Sequence, residues 1–251
     1  MLAIMARLRH PKHGCPWDLA QNFASIVPHT LEEAYEVADA IERGNYDELA
    51  GELGDLLFQV VFYAQLGQEQ GQFDFIDVVE RLNAKLEQRH PHVFAGRDVV
   101  AGQWEQLKAQ ERAQNAQHGA LDNVPLNLPA LVRSAKLQKR AARVGFDWDN
   151  LAPVAAKVSE ELAEVMAEVN QPQVQPALVQ EEVGDLLFAV VNLARHLNVE
   201  PEQALRQANA KFERRFRAVE HHCQQDNLSM NNADMEQLEH YWQQVKTAEK
   251  S

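Results

Sequence analysis

Glu182-Val-Gly-Asp185-Leu-Leu-Phe188 repeats Glu52-Leu-Gly-Asp55-Leu-Leu-Phe58, a step of 130 positions (182 − 52). Upstream of each copy lies a Glu-x-x-Glu, Glu33 and Glu36 in the first and Glu161 and Glu164 in the second, a step of 128 (161 − 33). Packing alone repeats apolar spacing and lets charge drift, whereas here the acids themselves are duplicated. Residues three apart on a helix lie on one face, a turn along the axis. Each pair therefore points two carboxylates the same way. The second copy runs on into Leu186-Leu-Phe-Ala-Val-Val191, apolar nearly all round, which predicts a buried helix with acids at its mouth.

Outward from these copies, long stretches keep helical spacing and little alternates strictly, so the class is all-α, two tandem duplicated helical-bundle domains. The pattern predicts helices over 30–43, 46–67, 75–89 and 101–116, then over 129–143, 152–169, 174–197, 201–224 and 232–249. The Asn/Pro-rich stretch 121–129 reads as a linker, giving domains 1–118 and 119–251. Other pieces correspond too: Asn83-Ala-Lys85 with Asn209-Ala-Lys211, Trp17-Asp18 with Trp148-Asp149, and Trp104-x-x-x-Lys108 with Trp242-x-x-x-Lys246.

A chain of 251 residues, 45% hydrophobic, can bury one or two sizeable cores. Its net charge of −13 excludes a general nucleic-acid or anionic-membrane surface, which needs a basic stripe to displace counterions. An anionic substrate must then find a metal and local Lys or Arg. Two cysteines, Cys15 and Cys223, are too few for a disulfide framework and suit a reducing compartment. Arg7, Arg9 and Lys12 interrupt the apolar opening residues, and no run reaches membrane length, so the expectation is a soluble cytoplasmic protein.

Opposing Glu161 and Glu164 to Glu182 and Asp185 makes a four-carboxylate cage. All-oxygen ligands suit Mg²⁺, which keeps water or phosphate oxygens in its octahedral shell. A lone Glu-x-x-Glu is usually a solvated helix face; acids at the mouth of a buried helix need a cation to offset desolvation. The chemistry expected is Mg²⁺-dependent, on a phosphorylated small molecule. Glu33, Glu36, Glu52 and Asp55 form a weaker second copy. Gly54 and Gly184 lie inside these helices, where close approach of a neighbour, packing or ligand, would justify them. Lys211, Arg214 and Arg215 supply cations for phosphate, or else form an exposed basic face paired with Glu213; Lys85 and Arg89 repeat the spacing. Trp242 and Lys246 share a face, so an indole could stack on a base while the amine reaches phosphate. Glu87-x-x-His90 has the form of a di-iron pair, but the second half has Phe216 in place of the histidine.

The halves differ where it matters. Lys157 precedes Glu160 and Glu161 by three and four residues and could hold phosphate beside the metal; the first half has His29 there. Thr30-x-x-Glu33 after Pro28 reads as a capping box that would fold Glu33 back onto its helix start. The second half is therefore the expected active copy, the first a structural or regulatory one.

Gly14-Cys-Pro-Trp-Asp18, Glu32-Glu33-x-x-Glu36, Glu52-Leu-Gly-Asp-Leu-Leu-Phe58, Arg143-Val-Gly-Phe-Asp-Trp148 and Glu182-Val-Gly-Asp185 together resemble the MazG family of tandem nucleoside triphosphate pyrophosphohydrolases, across essentially the whole chain. The resemblance implies a fold shared with dimeric dUTPases, a homodimer, hydrolysis of NTPs to NMP and pyrophosphate, and chemistry housed in the second domain. It matches Glu161, Glu164, Glu182 and Asp185 to metal ligands, and Lys157, Glu160, Lys211, Arg215 and Trp242 to nucleotide-contacting positions. Glu160, Glu161 and Glu182 are the candidate catalytic acids, and either Glu160 or Glu181 would position the attacking water. A regulatory helical protein that binds nucleotide or protein without hydrolysis is the alternative.

Overall fold

The computed structural model describes residues 1–96 and 119–249, and within them every regular element is helical. Residues 1–96 belong to one compact unit and 119–249 to a second. The helix expected over 101–116, with Trp104 and Lys108, lies outside the described residues; the boundary expected after residue 118 falls at the edge of that same segment.

The first unit comprises α1 (Leu2–Leu8), α2 (Pro16–Ala20), α3 (Phe23–Arg43), α4 (Tyr46–Glu69), α5 (Phe75–Arg89) and α6 (Pro91–Phe94). Helix α3 begins at Phe23, seven residues (30 − 23) before the start that Pro28 and Thr30 suggest. Asn22 is the true cap: its side-chain oxygen accepts from Ala24 and Ser25 N–H at 2.9 and 3.1 Å, and Ser25 Oγ accepts from Asn22 N–H at 2.9 Å. A reciprocal cap of this kind stabilises a helix start by about 1 kcal/mol. Pro28 sits inside the helix at the expense of one backbone hydrogen bond near its start. The Thr30–Glu33 capping box does not form; Thr30 Oγ1 donates to Ile26 O at 3.1 Å. Glu33 is thereby left to face α4.

Gly44, at φ 67°, closes α3 in the left-handed conformation, and Asn45 caps α4, so the two helices return on each other as a hairpin. Met5 of α1, Ile26 of α3 and Val61, Phe62 and Leu66 of α4 form the core, walled by Phe23, Phe58, Tyr63 and Phe75. Burying each large side chain contributes about 1.5–3 kcal/mol. Arg9 fastens α1 to the far end of α4 through a two-pronged pair with Glu69 at 2.9 and 2.7 Å.

The second unit comprises α7 (Ala130–Ala142), α8 (Leu151–Val169), α9 (Pro176–His196), α10 (Pro201–Gln225) and α11 (Met235–Ala248), with a 3₁₀ turn at Met230–Asn232. These ends agree with the expected ones to within about three residues. Asn150 caps α8 as Asn22 caps α3, 128 positions on (150 − 22), so the duplicated hairpins start in register. Helix α8 packs along α9, α7 lies against α9 and α10, and α10 pairs with α11. Gln138 of α7 donates to Phe188 O at 2.8 Å. Val219, Cys223 and Val245 form the α10–α11 core, with Trp242 packed on it.

Helix α9 is not buried all round within the chain. Ala189 and Val191 are buried, but Leu187 is 53% exposed and Phe188 and Val190 are exposed beside it, as are Leu162 and Met166 of α8. Nor is either glycine of the repeat closely approached: a Cβ at Gly54 or Gly184 would meet nothing within 4 Å. The expected close neighbour is absent from the single chain's described residues.

Candidate functional site

Helices α8 and α9 bring the second set of acids together around Glu161. Carboxylate oxygens of Glu161, Glu182 and Asp185 lie within 4.8 Å of one another, and so do those of Glu160, Glu161 and Glu164. Glu161 belongs to both groups and is 5% exposed, Glu182 is half-buried, and Glu160, Glu164, Glu181 and Asp185 are exposed. The four expected ligands, with Glu160 as a fifth acid, therefore fall into two overlapping groups joined at Glu161, Glu164 lying in one and Glu182 and Asp185 in the other.

Lys157 supplies a counter-charge at that joint. Its Nζ lies 2.7 Å from Glu160 Oε1 and 2.6 Å from Glu161 Oε1. Hydrogen bonds to Glu160 and then Glu161 hold the ammonium well above its ordinary pKa. Glu164 and Glu182 carry pKa values raised first by desolvation and then by their neighbours, Glu161 for Glu164 and Asp185 for Glu182. Such a cluster favours binding a cation, because each carboxylate raises the cost of ionising the next.

The first unit assembles its copy on α3 and α4. Glu33, Glu36 and Glu52 have oxygens within 4.8 Å of one another, and Asp55 stands close enough to raise the pKa of Glu33, after desolvation. Glu52 is raised likewise, by desolvation and then Glu36. Here His29 faces Glu32, at 3.7 Å, and the cation that acts on the cluster is Arg43, which pairs with Asp39 and Glu48 and opposes the rise of Glu52 from nearby.

Apart from Lys157 of α8, the expected nucleotide-contacting cations lie on α10 and α11. Lys211 is exposed and Lys246 half-buried. Arg214 and Arg215 pair not with Glu213 but with Glu249, at 2.8 and 2.7 Å; Arg217 takes Glu213. The two guanidiniums, Arg215 first, hold the Glu249 carboxyl down to about 2. Trp242 packs 5.5 Å from Phe212, and the Arg215 guanidinium lies 5.9 Å from its ring. Phe212, Phe216, Met235 and Trp242 line an open apolar groove of about 220 Å³. Among the described residues these groups share no hydrogen bond or ion pair with the acids of α8 and α9.

Sequence reasoning missed Glu249, 35 positions from Arg214, because nothing local marks a partner so distant. It also missed the tie between Asp147 and α9. Arg195 grips both Asp147 oxygens, at 2.5 and 2.9 Å, and His196 Nε2 lies 3.0 Å from Oδ1. Arg195 foremost holds Asp147 down to about 2. This anchors the loop leading into α8. Glu87 and His90 belong to no metal-ligating group among the described residues; His90 terminates α5 and its Nδ1 lies 2.7 Å from Leu86 O.

Two helical hairpins in register, each with a Glu-x-x-Glu helix facing a Glu-x-x-Asp helix, define a tandem all-α protein built around carboxylate clusters. The profile of the MazG nucleotide pyrophosphohydrolase domain matches residues 21–94 and 151–220, and the chain belongs to the MazG family. It is 58% identical over 254 residues to the nucleoside triphosphate pyrophosphohydrolase of Escherichia coli K12, covering 99% of this chain and 97% of that one. It is 42% identical over 247 residues to the nucleoside triphosphate pyrophosphohydrolase/pyrophosphatase MazG of Thermotoga maritima, covering 98% and 94%. It is also 40% identical over 254 residues to the uncharacterized protein YabN of Bacillus subtilis, covering 99% of this chain and 51% of that one.

Proposed function

We propose that the chain hydrolyses nucleoside triphosphates between the α and β phosphorus, giving nucleoside monophosphate and pyrophosphate, and that residues 119–251 form the working domain. The reading rests above all on the placement of Lys157, an ammonium against the acid that belongs to both carboxylate groups of α8 and α9. A site for a metal–triphosphate needs both charges side by side.

The donor set suits Mg²⁺. It is all oxygen, it clusters on one buried carboxylate, and it already attracts a cation. Glu161, Glu164, Glu182 and Asp185 would hold the ion, which when bound neutralises phosphate charge and lowers the pKa of water in its shell. Lys157 moves from Glu160 and Glu161 to a phosphate oxygen. That leaves Glu160, on the same face, able to accept a proton from the attacking water; Glu181 is the alternative base. Lys211, Arg214, Arg215 and Lys246 serve the remaining phosphate charge, and Trp242 offers a face to the base.

The apolar side chains Leu162 and Met166 of α8 and Leu187, Phe188 and Val190 of α9 are left exposed on the single chain. A second copy of the chain is their natural cover, making the working form a homodimer. No helix among the described residues is long and apolar enough to cross a membrane, and the net charge of −13 disfavours nucleic-acid polymers, so a cytoplasmic nucleotide-handling role fits best. The test is product analysis with Mg²⁺, comparing wild type with Glu182→Gln. Monophosphate and pyrophosphate from wild type alone is the expected result; diphosphate and phosphate, or equal turnover by the variant, contradicts the proposal.

A further inference from the structure

Val183, Leu187, Val190 and Leu197 follow one another along α9 to its C-cap at steps of four, three and seven residues. At 100° per residue they stay within about 80° of arc and run along about 21 Å of helix. All four are exposed on the single chain. The equivalent positions of α4, Leu53, Leu57 and Val60, are exposed as well, so the bare line belongs to the repeated hairpin and not to one stray side chain. Steps of four and three are the spacing with which one helix packs along another.

The two ends of the line carry different groups. Glu181, Glu182 and Asp185 surround its start at Val183. At its far end Arg195 and His196 hold Asp147, which brings the loop 145–148 to the end of α9. Gly145, at φ 85°, and Phe146 donate their N–H groups to Ala142 O and Ala141 O, each at 3.1 Å, so the loop backbone is pinned to α7 as well. A residue in the place of Phe146 ordinarily packs back on the helix that such a turn closes. Here Phe146 is 82% exposed, Trp148 is exposed too, and the loop walls an open pocket of about 230 Å³. Lys139, Arg140 and Arg143 precede the loop, and no acid occurs between Asp122 and Asp147. One end of the line is therefore acidic, the other basic and aromatic.

We infer that a second copy of the chain lies antiparallel along α9 and that its loop 145–148 completes the acidic site, the partner's Phe146 and the partner's Trp148 walling the nucleoside end of the substrate. Parallel pairing would set acids on acids. Antiparallel pairing about a two-fold axis sets the acidic end of each α9 on the basic end of the other. With the axis level with Val190, midway along the line, the partner's Leu197 falls opposite Val183. Val183 follows Glu182 and lies two residues before Asp185, so the partner's loop arrives at the carboxylate group those two share with Glu161. The loop of the same chain is about 18 Å of helix away from Asp185. The role given to the loop rests on the proposed function; the pairing of the helices does not.

Two measurements on the full chain test this. Val190→Cys places a thiol at the axis, opposite its own symmetry mate, and mild oxidation with copper phenanthroline should give a covalent dimer on a non-reducing gel that wild type does not form. Phe146→Ala and Trp148→Ala together should lower kcat/KM by about 10- to 100-fold, the loss of aromatic contact with a base. Mixed dimers of that double variant with Glu182→Gln, isolated through two different affinity tags, should turn over at about half the wild-type rate, since one of their two sites keeps both its acids and its partner's loop. If the loop serves its own chain, both sites are broken and turnover stays at or below that of the double variant. That result overturns the inference, as does failure of Val190→Cys to form the covalent dimer. A wild type that releases no monophosphate and pyrophosphate contradicts the proposed function and removes the role of the loop, while the cross-link still decides the pairing.

Discussion

Lys157 and Glu161 form a close ion pair, 2.6 Å from Nζ to Oε1, in which the carboxylate side chain is only 7% exposed and belongs to both acidic groups. The pair sits four residues apart on α8, so one turn of helix delivers both the ligand and the cation that accompanies phosphate. Replacing Lys157 by Met keeps the stem and removes the charge. We expect kcat/KM for nucleoside triphosphate to fall by about 10- to 100-fold, the loss of one charged contact to the reacting phosphates. Steady-state kinetics showing an unchanged kcat/KM would remove Lys157 from the site.

Arg214 and Arg215 are engaged by Glu249 before any nucleotide arrives. If those guanidiniums serve phosphate, Glu249 competes with substrate. Glu249→Gln should then lower KM by about two- to fivefold, the range an exposed ion pair allows. A raised KM would mean that Glu249 instead holds the arginines in their working positions.

Much of this was legible in the residues, and the failures are instructive. The duplicated acids announced both clusters because Glu-x-x-Glu and Glu-x-x-Asp encode a face within a single turn, and Lys157 was legible for the same reason. Helix α3 was started too late because Pro28 followed by Thr30 imitates an N-terminus, while Asn22 and Ser25, the residues that cap it, look like ordinary loop. Leu186 to Val191 read as wholly buried because composition cannot tell a core helix from one that leaves some of its apolar side chains exposed on the single chain. Gln59, Glu249 and the Asp147–Arg195 pair act across 26, 35 and 48 positions, and spacing carries no signal at such separations.

The Asp147 tie predicts a pH dependence. Its carboxyl is depressed from 3.8 to about 2, so the native state binds this proton less readily than the unfolded chain. Stability from the tie is fully present above the ordinary value and is lost as pH falls through about 2. With the pair 19% and 24% exposed, the contribution is at most about 2 kcal/mol. Denaturant unfolding of Asp147→Asn should show that deficit at pH 7 and little difference from wild type near pH 2. An equal deficit at both would assign the effect to packing.

Two helical glycines of α4 should respond in opposite ways. A Cβ at Gly54 meets open space, so Gly54→Ala should stabilise the folded chain by about 0.5–1 kcal/mol through helix propensity. At Gly67 a Cβ would lie 2.7 Å from Phe73 O, and alanine there should destabilise by about 1–3 kcal/mol. Thermal unfolding of the two variants measures both signs. Destabilisation by Gly54→Ala would reveal a close neighbour on that face in the assembled protein.

The most direct test of the central claim is hydrolysis of a nucleoside triphosphate with Mg²⁺ in ¹⁸O-labelled water, with the label located by mass spectrometry. Attack at the α-phosphorus predicts one labelled oxygen in the monophosphate and none in the pyrophosphate, with turnover lost in Glu182→Gln. Label in the pyrophosphate would place the attack at the β-phosphorus and contradict the account.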